Sequence, residues 1–177
     1  MARSRTLEDL SKKHGYELTL LPVDHPGQEQ KSQWLQIRRE RPDFVIMYGW
    51  GVMNSVAIKE AANIRFPMDH FIGVWWSGAE ADVLPAGDGA DGYKAITFHN
   101  TGTDFPVYDD LKKYVVDGGM AAGAGDQLGT VGYNKGLYAA VTVAEAIKNA
   151  QAIHGVTAIT PAMMRDGMET LSISLDD

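Results

Sequence analysis

DFVIMYGWGVMNSVAIKEAANIRFPMDHFIGVWWSG, residues 43–78, is the stretch from which the fold follows. Its first six residues form a nearly continuous apolar run, as a strand covered on both faces requires. Gly49, Trp50 and Gly51 end that run. A helix is predicted to follow as far as Ile64, capped by Asn54 or Ser55, with Val56, Ala57, Glu60 and Ala61 at helical spacing. Residues 70–76 then supply a second apolar strand. Strand, helix and strand of these lengths predict a parallel βαβ unit with a right-handed crossover.

Upstream, residues 7–14 read as a helix stopped by Gly15. Residues 16–23 read as a further strand through Leu18, Leu20, Leu21 and Val23, closed by the loop signal Asp24, His25, Pro26, Gly27. Residues 28–39 form a helix with Trp34, Leu35 and Ile37 clustered, and Pro42 closes it. Strands 16–23, 43–48 and 70–74 are therefore expected as neighbours in one mainly parallel sheet.

Downstream, residues 78–91 are rich in Gly, Ala, Asp and Pro and have room only for a short helix around Ala81, before a strand at 93–98. Residues 104–116 read as a helix, and residues 118–129 as a glycine-rich linker. The longest helix runs over 131–154, with Leu137, Val141, Ala144 and Ile147 on one stripe and Gly155 at its end. Thr160 and Pro161 open a last helix, 161–171. The class is α/β, a parallel sheet flanked by helices. About four strands are too few to cover the long helix, so its stripe is expected to stay partly bare.

The chain has 177 residues, 45% of them hydrophobic, enough for a real core. A net charge of -7 repels phosphate backbones, so no nucleic-acid partner is expected. Lys31, Arg38, Arg39 and Arg41 are the one basic cluster and suit a solvated helix end. With no cysteine there is neither a disulfide nor a thiolate site. The first residues contain no apolar stretch of signal-peptide length, and no run reaches the ~18 apolar residues of a membrane helix. If the chain is part of a longer precursor, a signal would lie upstream.

Gly49 to Asn54 imitates a G-x-G-x-x-G turn, but Asn54 stands at the last glycine position and Trp50 would crowd a pyrophosphate. Phosphate-loop, serine-hydrolase and zinc-protease motifs do not occur. His14, His25, His70, His99 and His154 lack metal-ligand spacing, so no metal or other cofactor is expected. Glu80, Asp82, Asp88 and Asp91 fall in the turn-rich segment, where Asp commonly serves the backbone. No catalytic residue is assigned, and the chain is not read as an enzyme.

In open parallel sheets, ligands sit beyond the carboxyl ends of the strands. Here those ends read Tyr48, Gly49, Trp50, Gly51 and Trp75, Trp76, Ser77, Gly78. Three of the four tryptophans at adjacent strand ends make a wall for an apolar or aromatic ligand, or else fill a core or a lobe interface. The pattern alone leaves both readings open. The expected ligand-binding residues are Tyr48, Trp50, Gly51, Trp75, Trp76 and Ser77.

HGYELTLLPVDHPGQEQKSQWLQIRRERPDFVIMYGWG, FIGVWWSGAEADVLPAG, GYKAITF and GYNKGLYAAVTVAEAIKNAQ, in this order, resemble the periplasmic substrate-binding proteins of branched-chain amino acid ABC transporters. The likeness covers residues 7–171. It implies a type I periplasmic binding fold, two lobes with ligand held in the cleft, of which this chain is a fragment. Residues 1–95 correspond to most of the family's second lobe, and 96–177 to a hinge crossing and an incomplete part of the other lobe. The resemblance further implies a solute receptor located in the periplasm and a membrane permease as partner. Trp50 matches a cleft aromatic that packs on ligand. Trp75 stands where amino-acid-binding members often place a carboxylate for the ligand ammonium, an ion pair that tryptophan cannot make. An apolar or aromatic carboxylate is then as fitting a ligand as a small amino acid, with Glu80 a possible substitute partner for an ammonium. The alternatives are a nucleotide-binding α/β enzyme and a cytoplasmic ligand sensor with the same fold.

Overall fold

The apolar runs after Pro42 and Pro67 become two paired strands, β1 (Val45–Met47) and β2 (Phe71–Gly73), parallel, with Val45 opposite Phe71 and Met47 opposite Gly73. A short third strand, β3 (Lys94–Ala95), pairs with β2 in parallel, giving the order β1-β2-β3. In the computed structural model residues 5–123 and 125–173 are described. The chain divides into two compact units, Met1–Ser77 with Ala81–Ile96, and Gly78–Glu80 with Thr97–Asp177.

In the first unit, α1 (Arg5–His14) and α2 (Lys31–Glu40) precede the sheet, and α3 (Val52–Asn63) connects β1 to β2. Trp34 and Ile37 lie three residues apart on α2, hence on one face, and both are buried, while Leu35 turns outward. They meet Ala57, Ile58 and Ala61 of α3, with Phe66 and Phe71, in one core. Trp34 and Tyr93 approach the ring of Phe71 edge-on, at centroid distances of 5.2 and 5.0 Å, the arrangement that aromatic quadrupoles favour. Arg38 and Arg39 occupy the last turn of α2 as the helix dipole prefers, whereas Lys31 opens that helix.

Residues 16–23 are not a strand. Their spacing puts Leu18 and Leu20 on one face and Leu21 and Val23 on the other, so a strand there would need cover on both sides. Only Leu21 packs against the core, Leu20 stays exposed, and the Pro22 carbonyl accepts from Gln33 Nε2 instead of a neighbouring strand. The run at 43–48 predicts cover on both faces, yet Ile46 is 51% exposed while its partner Ile72 is half-buried, so β1 lacks full cover on that face. The cap of α3 also differs. Gly51 holds that position at φ 60° and ψ -140°, a conformation open essentially to glycine, and Asn54 lies inside the helix, fully buried.

Gly73 lets Tyr93 lie across β2. A Cβ at this position would collide with the Tyr93 hydroxyl and come within 2.8 Å of Ser77 Cβ. Gly73→Ala is therefore expected to destabilise the first unit by about 1–3 kcal/mol, the cost of overpacking. Urea unfolding measures this, and an unchanged midpoint would contradict the packing.

The second unit contains α5 (Pro106–Asp110), which continues into a π-helical turn at Leu111–Val116, then α6 (Val131–His154) and α7 (Pro161–Glu169). The short α4 (Glu80–Val83) lies where the two units divide. Thr130 and Thr160 cap α6 and α7 by accepting from the main-chain N–H groups of Tyr133 and Met163, and Gly155 closes α6 at φ 65°. Both Glu80 carboxylate oxygens accept from the Val131 N–H at 3.1 Å, which sets a negative charge at the positive end of α6. Ala146 and Ala150 are buried, and Gly167 of α7 sits so close that its Cβ would meet that of Ala150 at 2.8 Å. The stripe of α6 is incompletely covered: Leu137 and Ile147 are half-buried, Val141 and Ala144 exposed. Tyr108 is fully buried; its hydroxyl donates to Asn134 Oδ1 and accepts from the Gly129 N–H. Among the described residues no helix is long and apolar enough to cross a membrane.

Candidate functional site

The strand ends carry a cavity of about 550 Å³ in the first unit. Tyr48, Gly49 and Trp50 line it from the turn after β1, Val74, Trp75 and Trp76 from the turn after β2, and Ile96 from beyond β3. Main-chain bonds prolong the ladder into these turns, since Val74 N–H donates to Met47 O at 3.1 Å and Ile96 N–H to Gly73 O at 2.9 Å. The turns are thereby placed at the carboxyl edge of the sheet, where parallel sheets bind ligands. The rings of Trp75 and Trp76 are 4.1 Å apart and tilted by 37°. Trp50 is 57% exposed, unlike a core tryptophan, and its nearest ring neighbour is His25, at 6.4 Å.

Of the six residues expected from the sequence, Tyr48, Trp50, Trp75 and Trp76 come to this cavity. Gly51 and Ser77 do not line it. Gly51 shapes the turn that carries Trp50, and Ser77 is fully buried, its hydroxyl donating to the Gly49 carbonyl at 2.9 Å. Glu80 does not line it either, and its carboxylate is bonded at the start of α6. No lining side chain is charged, so this wall offers contact to rings and aliphatic groups and no ion pair.

Behind the wall is a polar layer that the sequence reading missed. Asn54 Nδ2 donates to the Trp76 carbonyl at 2.9 Å and to Asp82 Oδ1 at 3.1 Å, and the Tyr93 hydroxyl donates to the Ser77 carbonyl at 2.6 Å. Asp82, read as a turn residue, is buried beside Asn54. Gly49 must lack a side chain, because a Cβ there would run into Asn54 Oδ1. The available signal was an Asn within the first turn of α3, two residues ahead of the apolar run Val56, Ala57, Ile58. At such a position, burial with partners competes with capping. Among the described residues no group of three His, Cys, Asp or Glu side chains gathers to hold a metal.

Burial raises the pKa of the Tyr93 phenol well above 10, and the Asp82 carboxylate adds to the shift. The unfolded chain ionises this group first, so its contribution to stability is full below about pH 10 and is lost as pH rises toward the folded value. Unfolding midpoints are expected to fall more steeply above pH 10 for the natural chain than for Tyr93→Phe. Parallel curves would contradict the shift.

The sequence matches the profile described as "Periplasmic binding protein" over residues 4–177. No curated protein matches it. Among solved structures, the chain is similar to one described as an ABC transporter permease from the Pseudomonas fluorescens group, with 42% identity and a TM-score of 0.84, covering 93% of this chain and 40% of that one. It also shares its fold with a branched-chain amino acid ABC transporter from Thermus thermophilus solved with bound valine, at 19% identity and a TM-score of 0.70, covering 90% of this chain and 41% of that one. The chain thus spans about two fifths of the length of either.

Proposed function

Because this chain belongs to the periplasmic binding protein family, we propose that the whole protein is an extracytoplasmic receptor that captures a small solute and hands it to an ABC-transporter permease. The ligand is a small amino acid or an apolar or aromatic carboxylate. Residues 1–95 serve as most of one lobe and 96–177 as the returning part of the other, in keeping with the two-fifths share of the solved relatives' length. Tyr48, Trp50, Trp75 and Trp76 form one wall of the binding cleft, and the protein acts by binding, without a chemical step.

The observation that carries this reading is the cavity at the carboxyl ends of three parallel strands, lined by four aromatic side chains and no charged one. Such a wall desolvates a ring or a branched aliphatic group, and leaves a ligand's charged end to be met elsewhere. Thermal unfolding of the whole protein with amino acids, phenyl-substituted carboxylates and nucleotides tests it. A true ligand at 100 times its Kd stabilises the folded state by about 2.7 kcal/mol. Stabilisation by the first two sets supports the receptor. Stabilisation by nucleotide alone would replace it with the nucleotide-binding enzyme.

A further inference from the structure

We propose that Asn54, Ser77 and Tyr93 are positioning residues that fasten the two tryptophan-bearing turns together by gripping their main-chain carbonyls, so that the aromatic wall is set before a ligand arrives. This rests on the reading of that wall as a binding surface.

Three side chains from three parts of the chain converge on the turns. Ser77 Oγ reaches across from the second turn to the Gly49 carbonyl of the first at 2.9 Å. Asn54, from α3, holds the Trp76 carbonyl at 2.9 Å, and Tyr93, just before β3, holds the Ser77 carbonyl at 2.6 Å. Asn54 and Ser77 are fully buried, so water does not compete for their hydrogen bonds. Asp82 Oδ1 accepts from the same Asn54 amide and fixes which way it points. Two glycines make room for the arrangement: Gly49 lies against Asn54 Oδ1, and Gly73 lies under the Tyr93 hydroxyl. The rings, by contrast, are exposed: Trp50 by 57% and Trp76 by 53%. Rings that are exposed but mounted on a braced backbone lose less freedom on binding than rings on a loose loop.

Circular dichroism reads this without a ligand. The rings of Trp75 and Trp76, 4.1 Å apart and not parallel, couple as an exciton pair whose sign and size follow the geometry of their turn. The signal is the part of the spectrum removed by Trp75→Phe. In Tyr93→Phe and in Ser77→Ala it is expected to fall by at least half, with the helical signal retained. Tyr108→Phe deletes a fully buried hydroxyl in the second unit and is expected to leave the couplet intact. An unchanged couplet in folded Tyr93→Phe and Ser77→Ala would overturn the proposal, as would an equal fall in Tyr108→Phe. Should Ser77→Ala fail to fold, Tyr93→Phe, the smaller change, carries the decision. Hydrogen exchange in the natural chain checks the bracing independently: the Val74 and Ser77 amides, bonded to Met47 O and Val74 O, are expected to exchange as slowly as the core, and exchange at random-coil rates would also overturn it. If the couplet responds as expected but no solute binds to the whole protein, the site reading fails and the bracing stands. If Trp50→Ala abolishes binding while the couplet ignores Tyr93 and Ser77, the bracing alone is lost.

Discussion

Replacing Trp50 with alanine in the whole protein is expected to weaken binding of its solute by about 1–3 kcal/mol, roughly 5- to 150-fold in Kd. Trp50 stands at the mouth of the turn after β1, more than half exposed, and faces the cavity with Tyr48, Trp75 and Trp76. A ligand that covers it removes a large apolar face from water, and alanine offers little to cover. Because the indole makes no buried contact in the core, folding should be spared, with a change within about 0.5 kcal/mol by urea unfolding. Titration calorimetry on the natural and substituted proteins separates the two effects. Unchanged affinity would remove Trp50 from the site.

Phe71→Ala should act in the opposite way, on stability first. Phe71 has no exposed surface and touches the rings of Trp34, Phe66 and Tyr93 at centroid distances of 5.0 to 6.4 Å. Its truncation leaves a cavity at the centre of the first unit and costs about 3–5 kcal/mol. Against the roughly 5–15 kcal/mol that holds a domain together, this is a large share. Denaturant unfolding is the direct measurement. A loss below about 1 kcal/mol would mean that Phe71 is not at the centre of the core. Tyr93 couples the two experiments, since its ring packs on Phe71 and its hydroxyl holds a turn of the cavity.

Much of this architecture was legible in residues 43–78. Continuous apolar runs around a helical period led directly to β1, α3 and β2, and the strand-end rule led from there to Tyr48, Trp50, Trp75 and Trp76. Thr130, Gly155, Thr160 and Pro161 marked the ends of α6 and α7 because caps are local chemistry. Failure came where distant residues decide. Residues 16–23 have the composition of a strand but no neighbour to pair with, and pairing partners cannot be read from the segment itself. Asn54 looked like a cap because Asn commonly is one. Its actual partners, the Trp76 carbonyl and Asp82, are 22 and 28 residues away. Ser77 was placed among ligand-binding residues by adjacency to Trp76, yet the turn points its hydroxyl inward to Gly49.

Three of the bonds behind the wall end on the carbonyls of Gly49, Trp76 and Ser77, that is, on atoms every residue type possesses. Inheritance therefore acts differently on the two layers of this site. At Gly49 and Gly73 every alternative residue brings a Cβ into occupied space, so these positions have no conservative replacement while Asn54, Ser77 and Tyr93 stay where they are. At Trp50, Trp75 and Trp76 the side chain can change without withdrawing the carbonyls from their donors. On the proposed reading of the wall as a binding surface, a lineage built on this scaffold can thus change its ligand by exchanging wall residues one at a time, with the backbone that presents them already secured.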